Sequence, residues 1–168
     1  MAAIAYPDRP AAGNPGQRVP VDAEDLMLVN ARLASGALGT IEATKLATGS
    51  EDEFRIEIHG AKGALRFNSM QAHWLDYYDS TADDASYGGV RGWTRIDCGQ
   101  RYPAPAALLP GKASIGWIRS HVHCLYSFMD AVHRRRPARP DLAHGLRVQT
   151  LMDAVHRAAR SGGWVDCE

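Results

Sequence analysis

Phe54, Ile56 and Ile58 alternate with Arg55, Glu57 and His59, and this period of two is the strongest constraint in the chain. Successive side chains of a strand point to opposite faces, so such a run builds a sheet with one apolar face. The same pattern extends in both directions. Met27, Val29, Ala31 and Leu33 alternate with Leu28, Asn30 and Arg32, and Ser35-Gly36 supplies a turn. Beyond that turn Ile41 and Ala43 oppose Thr40, Glu42 and Thr44. Gly60-Ala61-Lys62-Gly63 then turns the chain into Ala64-Leu65-Arg66-Phe67. His73 to Tyr78 and Trp93 to Cys98 read as two further strands. The polar, glycine-containing stretch from Asp79 to Gly92 reads as a loop.

After a Pro/Ala-rich stretch from Tyr102 to Pro110 the period changes. Ile118, Val122, Leu125, Met129 and Val132 recur at offsets of three and four, the apolar stripe of an amphipathic helix. Pro137 and Pro140 end it. Asp141 can cap a second helix, on which Val148, Leu151, Met152, Val155 and Ala159 repeat the stripe, and Ser161-Gly162-Gly163 closes it. Trp164-Val165-Asp166 reads as a short closing strand. The fold class is therefore α+β: a mostly antiparallel open sheet of about six or seven strands, with two C-terminal helices on one face. Residues 1–168 read as a single domain, in which residues 1–20 form an edge strand (Ala2 to Tyr6) and a Pro/Gly-rich linker through Pro20. Because the chain opens almost inside a strand, it is expected to be part of something longer. The second sheet face carries Leu28, Thr40, Thr44, Trp74 and Tyr78; it fits either packing against another sheet or simple solvation.

Nineteen basic and nineteen acidic side chains balance, which argues against a general grip on nucleic acid or an anionic membrane. The dense basic run Arg134-Arg135-Arg136 falls where the first helix ends, a place favourable to cations. No apolar stretch reaches membrane-spanning length, and the first residues do not resemble a secretory signal. Cys98, Cys124 and Cys167 are an odd set without metal-type spacing, which fits a reduced, cytoplasmic setting. His121 and His123 point about 200° apart on a helix and cannot grip one ion together, so no metal site is expected with Cys124. No nucleophile elbow, phosphate loop or paired-carboxylate arrangement is visible.

The run from Asp25-Leu26-Met27 through Ser35-Gly36-Ala37-Leu38-Gly39-Thr40-Ile41-Glu42-Ala43-Thr44 resembles a strand-turn-strand of the glucose–fructose oxidoreductase / inositol dehydrogenase (Gfo/Idh/MocA) family. Glu57-Ile58-His59-Gly60-Ala61-Lys62-Gly63-Ala64-Leu65-Arg66-Phe67 is similar to that family's E-I-x-G-x-K-G-x-L-x-F hairpin. The tail is similar too, from Pro140-Asp141 through Gly145-Leu146-Arg147-Val148-Gln149 and Asp153-Ala154-Val155 to Ser161-Gly162-Gly163-Trp164-Val165. The ordered set covers most of residues 19–168.

The resemblance implies the C-terminal domain of such an enzyme, which shapes a substrate pocket and builds oligomers through its sheet. NAD or NADP would be the cofactor of the intact parent, held by an N-terminal Rossmann domain. This chain has no G-x-G-x-x-G between a strand and a helix, no Glu-Lys-Pro, and no Asp-x-x-x-His at the matching place. No Rossmann domain, cofactor-binding residue or catalytic residue is thus expected within it; the Rossmann part would be missing or separately encoded.

Lys45, with Thr44, Thr48 and Gly49, lies in a stretch that resembles the family's S-R-x-x-x-G, where a lysine can donate to a sugar hydroxyl or a carboxylate. Trp117 and His121 open the first helix after a loop that in the family approaches substrate. Lys45, Thr48, Trp117 and His121 are therefore the candidate substrate contacts, against a plainer role as solvated or packing residues. The leading expectation is a pocket and oligomerisation domain of an NAD(P)-dependent oxidoreductase for a sugar, polyol or related alcohol, inactive alone. The partners would be a small-molecule substrate and a second copy through the open sheet face. The alternative is a stand-alone binding or scaffolding module that assembles with itself or with a separate Rossmann subunit; a third is an unrelated sugar-binding α+β domain.

Overall fold

A computed structural model describes residues 1–83, 89–99 and 116–167, with the backbone alone at residue 117. Residues 84–88 of the expected loop, and the Pro/Ala-rich stretch at 102–110, lie outside the described residues. In chain order the strands are β1 (Ala2–Ala3), β2 (Asp8–Ala11), β3 (Asn14–Pro20), β4 (Leu26–Arg32), β5 (Leu38–Thr44), β6 (Arg55–Gly60), β7 (Gly63–Asn68), β8 (Trp74–Asp79) and β9 (Trp93–Asp97). Helices α1 (Trp117–His133) and α2 (Leu142–Ser161) follow. The class is α+β with antiparallel pairing, as the two periods require.

The described strands pair into three sheets of three, two and four strands rather than the one open sheet of six or seven that was expected. The chain falls into two compact units, Met1–Gly49 with Pro140–Glu168, and Ser50–Arg139, so each unit carries one helix. The change comes just past β5. The Leu46 N–H turns back to Thr44 Oγ1 at 3.0 Å, the Thr48 N–H bonds the Leu46 carbonyl at 2.9 Å, and Gly49 takes a φ of 95°. These local bonds turn the backbone away from ladder geometry.

In the first unit the sheet order is β1-β4-β5, with β1 at an edge. The register pairs Met27 with Ala43, Val29 with Ile41 and Ala31 with Gly39, which sets those residues on one face. Leu28, Thr40 and Thr44 share the other face. Residues 8–20 are not a linker: β2 and β3 form a hairpin that turns at Gly13, whose φ is 78°. A two-stranded ribbon consists of edge strands only, a sheet context that tolerates Pro10, Pro15 and Pro20, and the register is irregular between Pro10 and Ala11. Helix α2 starts where Asp141 accepts the His144 N–H at 3.0 Å and stops at the left-handed Gly162. Residues 164–166 form no strand. Instead the Arg32 guanidinium lies 5.5 Å from the centre of the Trp164 ring, so the tail is held by side-chain packing and not by a ladder.

The second unit holds the sheet β6-β7-β8-β9. Ile56, Phe67, Leu75 and Ile96 lie opposite one another across the four strands, as do Ile58, Leu65, Tyr77 and Thr94, which makes one face apolar. The opposite face carries Trp74, Tyr78 and the row Glu57, Arg66, Asp76, Arg95, whose charges alternate in sign across the sheet. Arg66 Nε lies 3.1 Å from Glu57 Oε1, and Arg95 Nε donates to Asp76 Oδ1 at 2.8 Å. The Arg66 guanidinium also stacks 3.9 Å from the Trp93 ring centre. At the end of α1, Arg134 and Arg136 both donate to Asp130, and Arg135 between them turns the chain with a φ of 51°. The basic run is therefore a tethered helix terminus.

Burial is sparse. Among the described residues the buried apolar side chains are Met27, Ala72, Ala131 and Ala154, none of them large except Met27. Ile58 is 54% exposed, Phe54 61% and Leu125 66%. No helix among the described residues is long and apolar enough to cross a membrane.

Candidate functional site

Where β1 ends, β4 begins and β5 ends, one carboxylate organises the backbone. Antiparallel pairing sets Leu26 against both Ala3 and Thr44, so residue 25 meets Ala5 and Tyr6 on one side and Lys45 on the other. The Asp25 side chain is almost wholly buried. Its Oδ2 accepts the N–H groups of Ala5 and Tyr6 at 3.0 and 3.1 Å, and its Oδ1 accepts Nη2 of Arg9 from the hairpin. Its backbone is also engaged: the Asp25 N–H bonds the Ala3 carbonyl at 2.9 Å, and the Asp25 carbonyl receives the Lys45 N–H at 2.8 Å. The Tyr6 N–H, the Ala5 N–H and the charges of Arg9 and Lys45 together hold the Asp25 carboxyl below the usual carboxylate range, against the opposing pull of burial.

Around this anchor lies an open depression of about 460 Å³, lined by Tyr6, Asp8, Arg9, Pro10, Arg18, Asp25, Lys45 and Leu46. That volume falls within the range of about 300–1,000 Å³ usual for small-molecule sites. Arg18 is spoken for: its Nε donates to Asp8 Oδ1 at 2.8 Å and its Nη2 to the Asp8 carbonyl at 3.0 Å. Lys45 is not. Its ammonium makes one long contact, 3.4 Å, to the Glu24 carbonyl, and among the described residues no carboxylate forms an ion pair with it. Glu24 directs its own carboxylate to His156 at 3.6 Å. The depression can therefore offer ammonium and guanidinium donors, a phenol and carboxylate acceptors to a polar ligand.

Of the four residues singled out from the sequence, Lys45 lines this depression. Thr48 is exposed on the same unit and its N–H shapes the turn after β5, but it is not part of the lining. His121 lies exposed on α1 in the second unit, and the side chain of Trp117 lies outside the described residues. The four are thus divided between two units. Asp25, Arg9 and Arg18 were not among the candidates. A signal for Asp25 was available in the hairpin arithmetic: with the turn centred on Ser35, as the pairing of Arg32 with Leu38 sets it, positions 25 and 45 are equidistant from it and face each other. The two arginines sit in the Pro/Gly-rich segment, where composition hid the ribbon.

Residues 1–167 match the family model described as "Oxidoreductase family, C-terminal alpha/beta domain" (the Gfo/Idh/MocA group). The chain is similar to a levoglucosan dehydrogenase of Pseudarthrobacter phenanthrenivorans, at 30% identity over 92% of this chain and 39% of that protein. Among solved structures it is similar to an oxidoreductase domain protein from Kribbella flavida, with a TM-score of 0.88, 30% identity, and coverage of 99% of this chain and 43% of that one. It is equally similar in fold to a levoglucosan dehydrogenase solved with NADH and L-sorbose, with a TM-score of 0.88, 28% identity, and coverage of 100% of this chain and 43% of that one. The chain spans about two fifths of the length of these relatives.

Proposed function

This chain belongs to the Gfo/Idh/MocA oxidoreductase family through its C-terminal alpha/beta domain, and on that premise we propose that it forms the substrate-pocket wall and the subunit interface of a nicotinamide-dependent oxidoreductase. The substrate is a sugar, polyol or related alcohol. A levoglucosan dehydrogenase binds NADH and is of the same fold, which supports NAD as the cofactor of the parent enzyme. Within this sequence no glycine-rich dinucleotide loop follows a strand, so hydride transfer relies on a Rossmann part outside it. Orientation within about 3–3.5 Å of the reacting carbon is what that part supplies. The three cysteines, all free, suit a reducing, cytoplasmic setting.

One observation carries the interface half of the reading: among the described residues a chain with 45% apolar residues buries just four apolar side chains. Such surface is stable when covered. The row Ile56, Phe67, Leu75, Ile96 and its neighbours Ile58, Leu65 and Tyr77 form a face suited to another copy of the same sheet. Two measurements on the isolated chain test the proposal. Light scattering is expected to give a mass above one protomer, and a single-protomer mass at high concentration refutes the interface. Incubation with NAD or NADP and a panel of sugars and polyols is expected to give no turnover; sustained formation of reduced nicotinamide refutes the pocket-wall role.

A further inference from the structure

We propose that the depression at the end of the first unit's sheet takes the carboxylate of a small polyhydroxy acid, that is, an acidic sugar and not a neutral one. The inference rests on the pocket-wall reading above and narrows its substrate class. Charge comes first. Arg9, Arg18 and Lys45 are set against Asp8 and Asp25, three cations to two carboxylates, which leaves one positive charge uncompensated in the lining. A carboxylate cancels that charge, whereas phosphate exceeds it.

The donors come next. Asp25 is spent on two backbone N–H groups and on Nη2 of Arg9, so it has little left for the Lys45 ammonium. Lys45 holds just a 3.4 Å contact to a neutral carbonyl, which leaves a compact cation with donors to give. Arg9 commits one nitrogen to Asp25 while its side chain remains 45% exposed, so the outer edge of its guanidinium faces the depression. Both cations are fixed from behind by the same residue: the Asp25 side chain grips Arg9, and its carbonyl holds the Lys45 backbone. That arrangement pre-orders a two-point clamp for the two oxygens of a carboxylate. Tyr6 and Asp8 add a hydroxyl and an acceptor for the sugar's own hydroxyls.

The test is calorimetric titration of the whole chain with sodium glucuronate, glucose and inorganic phosphate, with amide shifts followed by NMR. Glucuronate is expected to bind saturably, more tightly than glucose, moving the amides of Tyr6, Lys45 and Leu46. Lys45→Met is expected to weaken it about tenfold, the loss of one charge-assisted hydrogen bond, while Lys45→Arg keeps it within about threefold. Lys62→Met, a turn lysine of the other unit, is the control and leaves it unchanged. The inference is overturned if glucuronate does not bind, if phosphate binds more tightly, or if Lys45→Met changes binding no more than Lys62→Met. Glucose bound as tightly as glucuronate also overturns it, yet leaves the pocket-wall reading standing.

Discussion

Among the glycines for which the surroundings of an added Cβ are described, Gly63 is the one at which a methyl group meets backbone most closely. It begins β7 directly after the Gly60-Ala61-Lys62 turn, opposite Asp79 of β8. A Cβ built there would lie 2.3 Å from the backbone oxygen of Tyr78 and 3.5 Å from its carbonyl carbon. No side-chain motion relieves this contact, because the obstacle is main chain. To reach a tolerable separation β8 has to retreat by about 0.7 Å, well up the repulsive wall. That strain costs roughly 1–3 kcal/mol. The retreat also loosens the adjoining bonds, such as Ser80 N–H to the Lys62 carbonyl at 3.1 Å, and each bond lost costs about 1 kcal/mol more.

Gly63→Ala is therefore expected to destabilise the protein by about 3 kcal/mol, a fall in melting temperature of roughly 6–12 °C at this chain length. Thermal unfolding followed by circular dichroism measures it. Gly39→Ala, near the start of β5 with nothing within 4 Å of its added Cβ, is the companion variant and is expected to stay near the parent. If Gly63→Ala melts within about 1 °C of the parent, a shift small on the same scale, the close approach of β8 to Gly63 is wrong.

Other perturbations probe other parts. Gly145 lies inside α2 with open space around it, so Gly145→Ala is expected to stabilise by about 1 kcal/mol, seen as a higher melting temperature. Asp25→Asn tests the anchor by pH. The folded carboxyl titrates below the ordinary aspartate value of 3.8, so its charge contributes stability above that value and loses it as pH falls through the folded pKa. The gap in melting temperature between parent and Asp25→Asn should be widest near neutrality and close at pH below 3.8; a gap constant down the whole acid series contradicts the assignment. Ile58→Lys, on the apolar face of the second unit's sheet, is expected to lower the light-scattering mass while the far-ultraviolet spectrum stays unchanged. An unaltered mass places the interface elsewhere.

How much of this was legible in the sequence depends on the range over which each feature is encoded. Alternation is local, and it located β4 to β9 to within a residue or two because every second side chain repeats the message. The ends of α2 were legible for the same reason: Asp141 and Gly162 each act within one turn of helix. Sheet membership is not local. Whether β5 passes its open edge to β6 depends on the path of residues 45–54, where the bonds to Thr44 and Leu46 and the left-handed Gly49 leave no trace in hydropathy. The hairpin at residues 8–20 was hidden for a related reason, since its prolines speak against a strand unless both strands are edges.

The anchor of the depression shows the same division. Lys45 could be found because it stands at a strand end in a family-like stretch. Asp25 could have been found by counting outward from a tip centred on Ser35, because the symmetry of an antiparallel hairpin makes partners of residues equally distant from its tip. Arg9 could not: its place beside Asp25 depends on the β1–β4 pairing and on the reversal at Pro7, whose carbonyl receives the Val21 N–H. A site assembled from one hairpin can be derived by arithmetic. This one draws on two hairpins and an edge strand, so the sequence discloses its members only after the register between them is known.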